Sequence, residues 1–546
     1  MPDHSKIRPR PVPIPGRLAS PRMAVSIALS VWALIAASVC HGRRSDADWP
    51  SYNRTATADR HADLDQVNLD TVARLKVLCT FKTGVTTNFE TGLVKVGPML
   101  YATTAQDTFA LDPSTCKLRW YVHDEYNISP RTPTVNRGVA YDNGRLFRGT
   151  QDGRVLAYDA LTGKRLWETH LDDPGLGATI PAAPVAWNSL VFVGNAGGEL
   201  KAAPARMYAL VAADGKVIWQ QLVTNIPMDP KARGWDNAAE VPLTVAATWT
   251  SWSLDTGSGL LYISAGNPTP DFERALRPDA TALTNSVLVL DARTGAYRGY
   301  FPIVPADLHG YGTAAAPVLY TARSGKHLLT VASRDGYLRT FDLSSGRKLY
   351  DTPVTTLYNQ DIALAPDRPL HLCPGPSGGT AWNGPAVDPA RNLIFTGAVD
   401  WCTTVTAAPS TPTRGIASSW TRIGRRSPPE TGPFGTPDPV SVWAGWVYAT
   451  DADSGRVAWK FKAPAPILSG VTPTRGGLVF VGDVSGQLYA LSADSGLPLW
   501  SIQLDGALGG GVITYQDSGA QRIAVVTGMS SPPVGTTPAQ VVVLGL

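Results

Sequence analysis

The sequence predicts an all-β protein, an eight-bladed β-propeller of four-stranded antiparallel blades whose ring is closed by N- and C-terminal strands. Three observations carry that expectation. One phrase recurs seven times along the chain, the composition is rich in turn formers, and each end of the chain holds the half-phrase that the other lacks.

The phrase appears as FALDPSTCKLRWYV (109–122), LAYDALTGKRLWET (156–169), YALVAADGKVIWQQ (208–221) and LVLDARTGAYRGYF (288–301). It returns as RTFDLSSGRKLYDT (339–352), YATDADSGRVAWKF (448–461) and YALSADSGLPLWSI (489–502). Each copy reads as an alternating apolar strand, a tight turn, in six of the seven with Gly at a fixed place, and a second strand. In five copies a Trp stands eight residues after the position usually held by Asp: Trp120, Trp167, Trp219, Trp459 and Trp500. Such a Trp reads as a recurrent plug between neighbouring sheets. A preceding phrase, as in GRLFRGTQDGRVLAYD or GGLVFVGDVSGQLYALS, adds two more strands to the unit. The C-terminal AQVVVLGL matches the first half of the phrase and LKVLCTFKTG (75–84) the second half. Pairing them closes the ring and removes exposed sheet edges. An open β-solenoid and two stacked sandwiches are the competing architectures. A unit of about 40 to 50 residues with complementary ends favours the propeller.

Gly 52, Pro 45 and a charged fraction of only 17% suit many short strands joined by turns, and neither a helical bundle nor a disordered chain. The net charge of +4 is thin for 546 residues, and no basic stripe with interleaved aromatics is present, which excludes nucleic-acid binding.

At the N-terminus Arg8, Arg10, Arg17 and Arg22 precede the apolar run Ala24–Val39, and the polar HGRRSDAD follows. The run is shorter than the roughly 20 residues of a membrane span. Residues 1–45 are therefore expected to be a signal peptide and leader, cleaved near residues 36 to 45. Residues 46–546 are expected to form a single propeller domain, periplasmic and soluble when mature. Met23 is an alternative start to Met1, and an uncleaved anchor is the competing reading. A lipid anchor on Cys40 is disfavoured by Val39, where a small residue is needed. Cys79, Cys116, Cys373 and Cys402 remain, none in CxxC or CxxCH, which points to two disulfides and away from zinc or covalent haem. Cys79 falls on the closing strand and Cys116 in the turn of the adjacent blade, so these two are expected to pair.

DWPSYNRTATADRH (48–61), LDQVNLDTVARLKV (64–77) and the AxDxxTGxxxW phrase together resemble the pyrroloquinoline quinone (PQQ) alcohol dehydrogenases, over residues 48–546. The resemblance implies PQQ, a flat tricarboxylate, with Ca2+, a small alcohol substrate, and a separate electron acceptor such as a soluble cytochrome c. VNRG (135–138) is similar to the family segment whose Arg pairs with a PQQ carboxylate, here Arg137. A guanidinium fork suits that partner. AATWTSWSLDTGSGLLYISAGNP (246–268) resembles the segment that supplies the ring floor, here Trp249, and a metal-binding amide, here Asn267. GNAGGEL (194–200) is similar to the segment with a metal-binding acid, here Glu199. A carboxylate with an amide oxygen is a fitting start for Ca2+. SRDG (333–336) resembles a turn whose Arg lies beside the quinone oxygens, here Arg334. The family also has a bridge comparable to Cys373–Cys402, whose segments flank a strand pair. Plainer roles compete with each assignment: core filler for Trp249, turn former for Asn267, loop acid for Glu199, surface cations for Arg137 and Arg334.

Several positions depart from the family pattern. Arg131 and Thr132 stand where many members carry adjacent cysteines, and Ala381 replaces a cofactor-contacting Asn in SGGTAWNGP (377–385). VPADLHGYGTAAAPVL (304–319) resembles the segment whose second Asp is the catalytic base and a metal ligand; that place is Gly310, and the next acidic place is Gly312. Gly312 argues against a lanthanide, which would need an extra acid there. Asp307 is the only carboxylate in the segment and becomes the candidate base, with His309 as a second proton acceptor. The leading expectation is a periplasmic quinoprotein that oxidises an alcohol. The alternative is a non-catalytic propeller for protein binding or outer-membrane assembly that has lost the catalytic Asp.

Overall fold

The structure, a computed structural model, describes residues 47–127, 134–172, 177–197, 205–223, 247–267, 283–305, 307, 309–365, 368–406, 435–531 and 534–546. Residues 1–45, Glu199, Arg131 and Thr132 lie outside the described residues. Eight four-stranded antiparallel sheets make the propeller. Blades A to G span residues 94–123, 140–170, 185–222, 253–302, 318–353, 386–463 and 472–503; blade H joins residues 512–545 to Lys76–Lys82. The first strands of successive blades meet one another at the centre of the ring. Fourth strands such as Leu118–His123 and Arg165–His170 alternate towards solvent and form the rim. The closing sheet uses both ends of the chain, with Lys76 opposite Gly545 and Lys82 opposite Gln540.

The recurrent Trp is a joint between blades. Its indole N–H donates to the carbonyl of the Ala that follows the turn Asp position in the next blade: Trp120 to Ala160 (3.0 Å), Trp167 to Ala212 (3.1 Å), Trp219 to Ala292 (3.1 Å) and Trp459 to Ala493 (2.9 Å). Each ring lies on that blade's turn glycine, where a Cβ at Gly163 or Gly295 would come within 2.7 Å of the indole. The glycine is needed twice, for its left-handed backbone (φ 72 at Gly163) and for its missing side chain. Tyr350 fills the same role against Gly455 and donates to Ala452 (2.9 Å).

Three joints differ. Between blades D and E the aromatic place is Gly299, and nothing lies within 4 Å of a Cβ at the facing Gly346. At the joint from G to H, Trp500 packs against an apolar cluster to which Val67, Val72 and Leu75 of the N-terminal segment belong. Between H and A the turn position is not the expected Gly but Cys116, which keeps the left-handed backbone (φ 57). Trp120 stands opposite Ala110 just past a bulge, and Cys79 stands opposite Val543 just past the equivalent bulge. Cys79 thus holds the Trp place, and the Cys79–Cys116 disulfide takes over from the aromatic joint where the chain's two ends meet.

The second disulfide, Cys373–Cys402, borders a small sheet of Leu370–Leu372, Thr403–Val405 and Thr436–Pro437. His371 lies beside it, but both thiols are used in the bridge, so the trio is not a metal site. Residues 47–62 run across the centre of the ring. Their carbonyls accept Gln516 N (2.9 Å), Leu254 N (2.7 Å), Leu319 N (2.9 Å) and Val387 N (3.0 Å), while Trp49 pairs with Lys95 and Ala62 N donates to Pro473 (3.1 Å). This segment covers first-strand edges of six blades that the ring itself leaves open. Among the described residues no helix is long and apolar enough to cross a membrane.

Candidate active site at the centre of the ring

The segments leading into the first strands of blades A, B, D and F bring Glu90, Arg137, Trp249 and Trp382 together, and the loop between the second and third strands of blade E adds Arg334. Arg137 is pinned through its backbone, donating to Pro181 O (2.9 Å) and accepting from Gly92 N (2.9 Å). The preceding Asn136 accepts from Thr103 Oγ1 (2.7 Å) and Gly138 N (3.0 Å), which fixes the turn. The Arg137 guanidinium donates to Glu90 Oε2 (2.6 Å) and Trp249 O (3.2 Å). It lies 4.8 Å from the centroid of the Trp249 ring and 5.3 Å from that of Trp382. Arg334 lies 5.3 Å from the Trp249 ring. Arg137 is buried and Arg334 half-buried, so neither is a surface cation.

The contacts continue through Tyr52. Tyr52 OH donates to Trp382 O (3.3 Å), and the Arg60 guanidinium lies 5.2 Å from the Tyr52 ring. Three guanidiniums and three aromatic rings therefore form one column, with Glu90 as its carboxylate. Burial pushes the Glu90 carboxyl up from its ordinary pKa, while Arg137 and Arg334 pull the other way. Arg137 Nε is buried with no hydrogen-bond partner, and the stacked cations over Trp249 fit a flat polycarboxylate.

Asn267 sits beside this column. Its Nδ2 donates to Gly310 O (2.7 Å), which orients the amide and leaves Oδ1 buried without a partner. A Cβ at position 312 would overlap Oδ1, so Gly312 makes room for it, and Gly312 O accepts from Arg334 N (3.2 Å). A desolvated amide oxygen with free lone pairs fits a hard cation.

Asp307 is buried, and its carboxylate is engaged. Oδ1 accepts from His309 N (2.9 Å) and Tyr311 N (2.9 Å), and Oδ2 from Asn285 Nδ2 (3.1 Å). His309 Nε2 lies 2.6 Å from Ile362 O. A carbonyl only accepts, so Nε2 carries the proton and the buried, unpartnered Nδ1 carries the lone pair. Burial lowers the His309 pKa and keeps the ring neutral. Tyr311 OH donates to Pro374 O (2.6 Å), with burial as the main cause of its raised pKa.

Arg137, Trp249, Arg334 and Asn267, picked out by resemblance, converge here. Sequence reasoning missed Glu90, Trp382, Tyr52 and Arg60. Trp382 adjoins Ala381, which belongs to an apolar cluster with Val399, Trp401 and Trp443.

A family profile described as the glucose/ethanol/alcohol dehydrogenase β-propeller domain matches residues 49–357, more than half of the chain. A second, for the outer membrane protein assembly factor BamB, matches residues 444–527. The dehydrogenase subunit of an alcohol dehydrogenase (quinone) from Acetobacter aceti is 28% identical, over 90% of this chain and 72% of the relative. A quinohemoprotein alcohol dehydrogenase from Comamonas testosteroni is 25% identical, over 88% of this chain and 72% of the relative. Among solved structures, a europium-containing methanol dehydrogenase superposes with a TM-score of 0.79 at 22% identity, covering 92% of this chain and 99% of the other. At that identity the likeness speaks for the fold.

Proposed function

Since the chain belongs to the glucose/ethanol/alcohol dehydrogenase β-propeller family, we propose that it is a periplasmic PQQ-binding quinoprotein that oxidises a small alcohol and passes electrons to a separate acceptor, such as a soluble cytochrome c. The observation that carries this reading is the central column, three guanidiniums interleaved with aromatic rings against one buried acid. In the proposal Arg137 pairs with a cofactor carboxylate, Trp249 is the ring floor and Arg334 faces the quinone oxygens. Glu199 and Asn267 hold Ca2+. PQQ, when bound, supplies an electrophilic quinone that takes hydride from the alcohol carbon. Residues 1–45 serve as the export leader and residues 46–546 as the propeller domain.

Asp307 is our proposal for the group that receives the alcohol proton. Its three hydrogen bonds stabilise the carboxylate as it stands, and moving it would release the turn that holds His309 and Tyr311. A well-positioned base contributes about 10²- to 10⁴-fold, so turnover is expected to be low. The second reading, a non-catalytic binding or assembly propeller, draws on Gly310 at the base position and on the match at residues 444–527.

Calorimetry with PQQ and Ca2+ on wild type and Trp249→Ala tests the cofactor. Binding by wild type that weakens in the variant supports it; no binding by wild type leaves the second reading. A dye-linked alcohol assay on wild type, Asp307→Asn and Gly310→Asp tests the base. Gly310 has φ 74, a conformation Asp tolerates better than most residues. A rise in Gly310→Asp with no change in Asp307→Asn would show a quinoprotein that has lost its base.

A further inference from the structure

Two other buried arginines, Arg148 and Arg60, are treated very differently. Arg148 is fully enclosed and donates to Asp107 O (2.8 Å), Thr108 Oγ1 (2.8 Å), Thr104 O (2.9 Å) and Ala105 O, with Asp124 at 3.9 Å. Every face of its charge is met. Arg60 is 3% exposed, yet its Nε donates to Asn53 Oδ1 (3.0 Å) and its plane rests on the Tyr52 ring, and no carboxylate lies within ion-pair distance among the described residues. Burial lowers its pKa, and the neighbouring Tyr52 offsets this only in part.

The surroundings hold Arg60 in this position. Its backbone is left-handed (φ 55), and its N–H donates to Asn53 O (3.3 Å), so residues 53 and 60 form one closed loop. A Cβ at Gly470 would lie 2.7 Å from Arg60 Nη1, and a Cβ at Gly92 would overlap the Tyr52 ring. Glycines of two blades thus make room for the Tyr52–Arg60 pair. Asn53 is also buried, and with Oδ1 used by Arg60 its remaining side-chain group is the Nδ2 donor. The pair offers a guanidinium and an amide N–H and no free acceptor. That is the donor set of an oxyanion site.

We propose that Arg60 and Asn53 form a second anion-binding position at the centre of the ring, below the Tyr52–Trp382 step and separate from Arg137 and Arg334. It takes a small oxyanion that can accept a forked pair of hydrogen bonds, either a carboxylate of acetate size or an inorganic anion such as sulfate. Binding is non-covalent and does not require PQQ.

Thermal unfolding of the full-length protein, titrated at low ionic strength with acetate and separately with sulfate, tests it. Wild type and Arg334→Gln are expected to show a saturable rise in unfolding temperature, and Arg60→Met to lose it. The more effective anion names the natural class. A selenate soak of crystals should give anomalous density against Arg60. The proposal is overturned if Arg60→Met responds as wild type does, if Arg334→Gln abolishes the response, or if selenate collects only at Arg137. Should Arg60→Met not fold, Asn53→Ala decides: loss of one hydrogen bond to a charged ligand weakens apparent affinity by about tenfold or more, and unchanged affinity rejects the site. Failure of PQQ to bind wild type would leave this result intact.

Discussion

At the rim the protein repeats one joint, a Trp whose N–H reaches an Ala carbonyl and whose ring rests on a turn glycine, in four places with a Tyr in a fifth. At the centre each of Glu90, Arg137, Trp249, Arg334 and Trp382 comes from a different blade entrance or loop and occurs once. The rim joints satisfy the indole N–H groups they carry. The centre does the reverse, leaving Arg137 Nε, Asn267 Oδ1 and His309 Nδ1 buried without partners. Unsatisfied buried groups persist where a ligand can answer them. The rim is built for stability, and the centre keeps the unanswered polar atoms that the proposed cofactor and metal would meet.

The largest test of that contrast is Trp459→Ala. Its ring is nearly buried between blades F and G, and its loss is expected to cost about 3–5 kcal/mol. Urea unfolding measures it. A loss no larger than that of an exposed residue would mean that the joint does not carry the rim.

The closing joint offers the next test. Cys79 and Cys116 are 37 residues apart, and loop closure of that length is worth about 3 to 4 kcal/mol. Cys79→Ser is expected to lose that amount, and reductant to lower the stability of wild type but not of the variant. If the disulfide stands in for an aromatic joint, Cys79→Trp with Cys116→Gly should recover part of the loss in the presence of reductant. No recovery would mean that the two joints are not equivalent.

These two regions were unequally legible in the sequence. Repetition multiplies a weak pattern, so strand and turn could be read from seven copies and Trp from five. Cys116 was less plain, because a cysteine in a glycine place takes its meaning from Cys79, 37 residues away. The central residues have no repeats to average over. Arg137, Trp249, Arg334 and Asn267 were reached by resemblance alone. Glu90 and Arg60 could not be reached by pattern, since their significance lies in which segments converge: residues 90 and 137 meet, and residues 60 and 470 meet.

A third test concerns the room kept for Asn267. Gly312→Ala forces a methyl against Oδ1, and overpacking of this kind is expected to cost about 1–3 kcal/mol. The same change should weaken Ca2+ binding, read by calorimetry in the presence of PQQ. Stability lost with Ca2+ affinity intact would detach Asn267 from the metal.

The smallest expected effect separates rim from centre by pH. At the rim, burial pushes Asp112 up, but hydrogen bonds from Thr115, Arg119 and the backbone of Ser114 and Thr115 outweigh it and hold the carboxyl down at about 2. Asp159, Asp291 and Asp342 are also lowered, chiefly by Thr162, Arg298 and Ser344, and Asp451 is lowered by Ser454 against the effect of burial. An acid whose folded pKa lies below its unfolded value, about 3.9 for Asp, stabilises the fold above that value, and the benefit is lost as pH falls through the folded pKa. Glu90 has the opposite sign. Its folded pKa is raised by burial, so its contribution is an unfavourable one that is absent below the unfolded value of about 4.3 and grows as pH rises through the folded pKa. Several rim acids outweigh one central acid, so the wild-type urea midpoint is expected to fall between about pH 4 and pH 2. Glu90→Gln removes only the central term. The stability of the variant relative to wild type should therefore increase as pH rises from about 4 towards neutrality. A difference that stays constant over that range would mean that Arg137 and Arg334 fully offset the burial of Glu90.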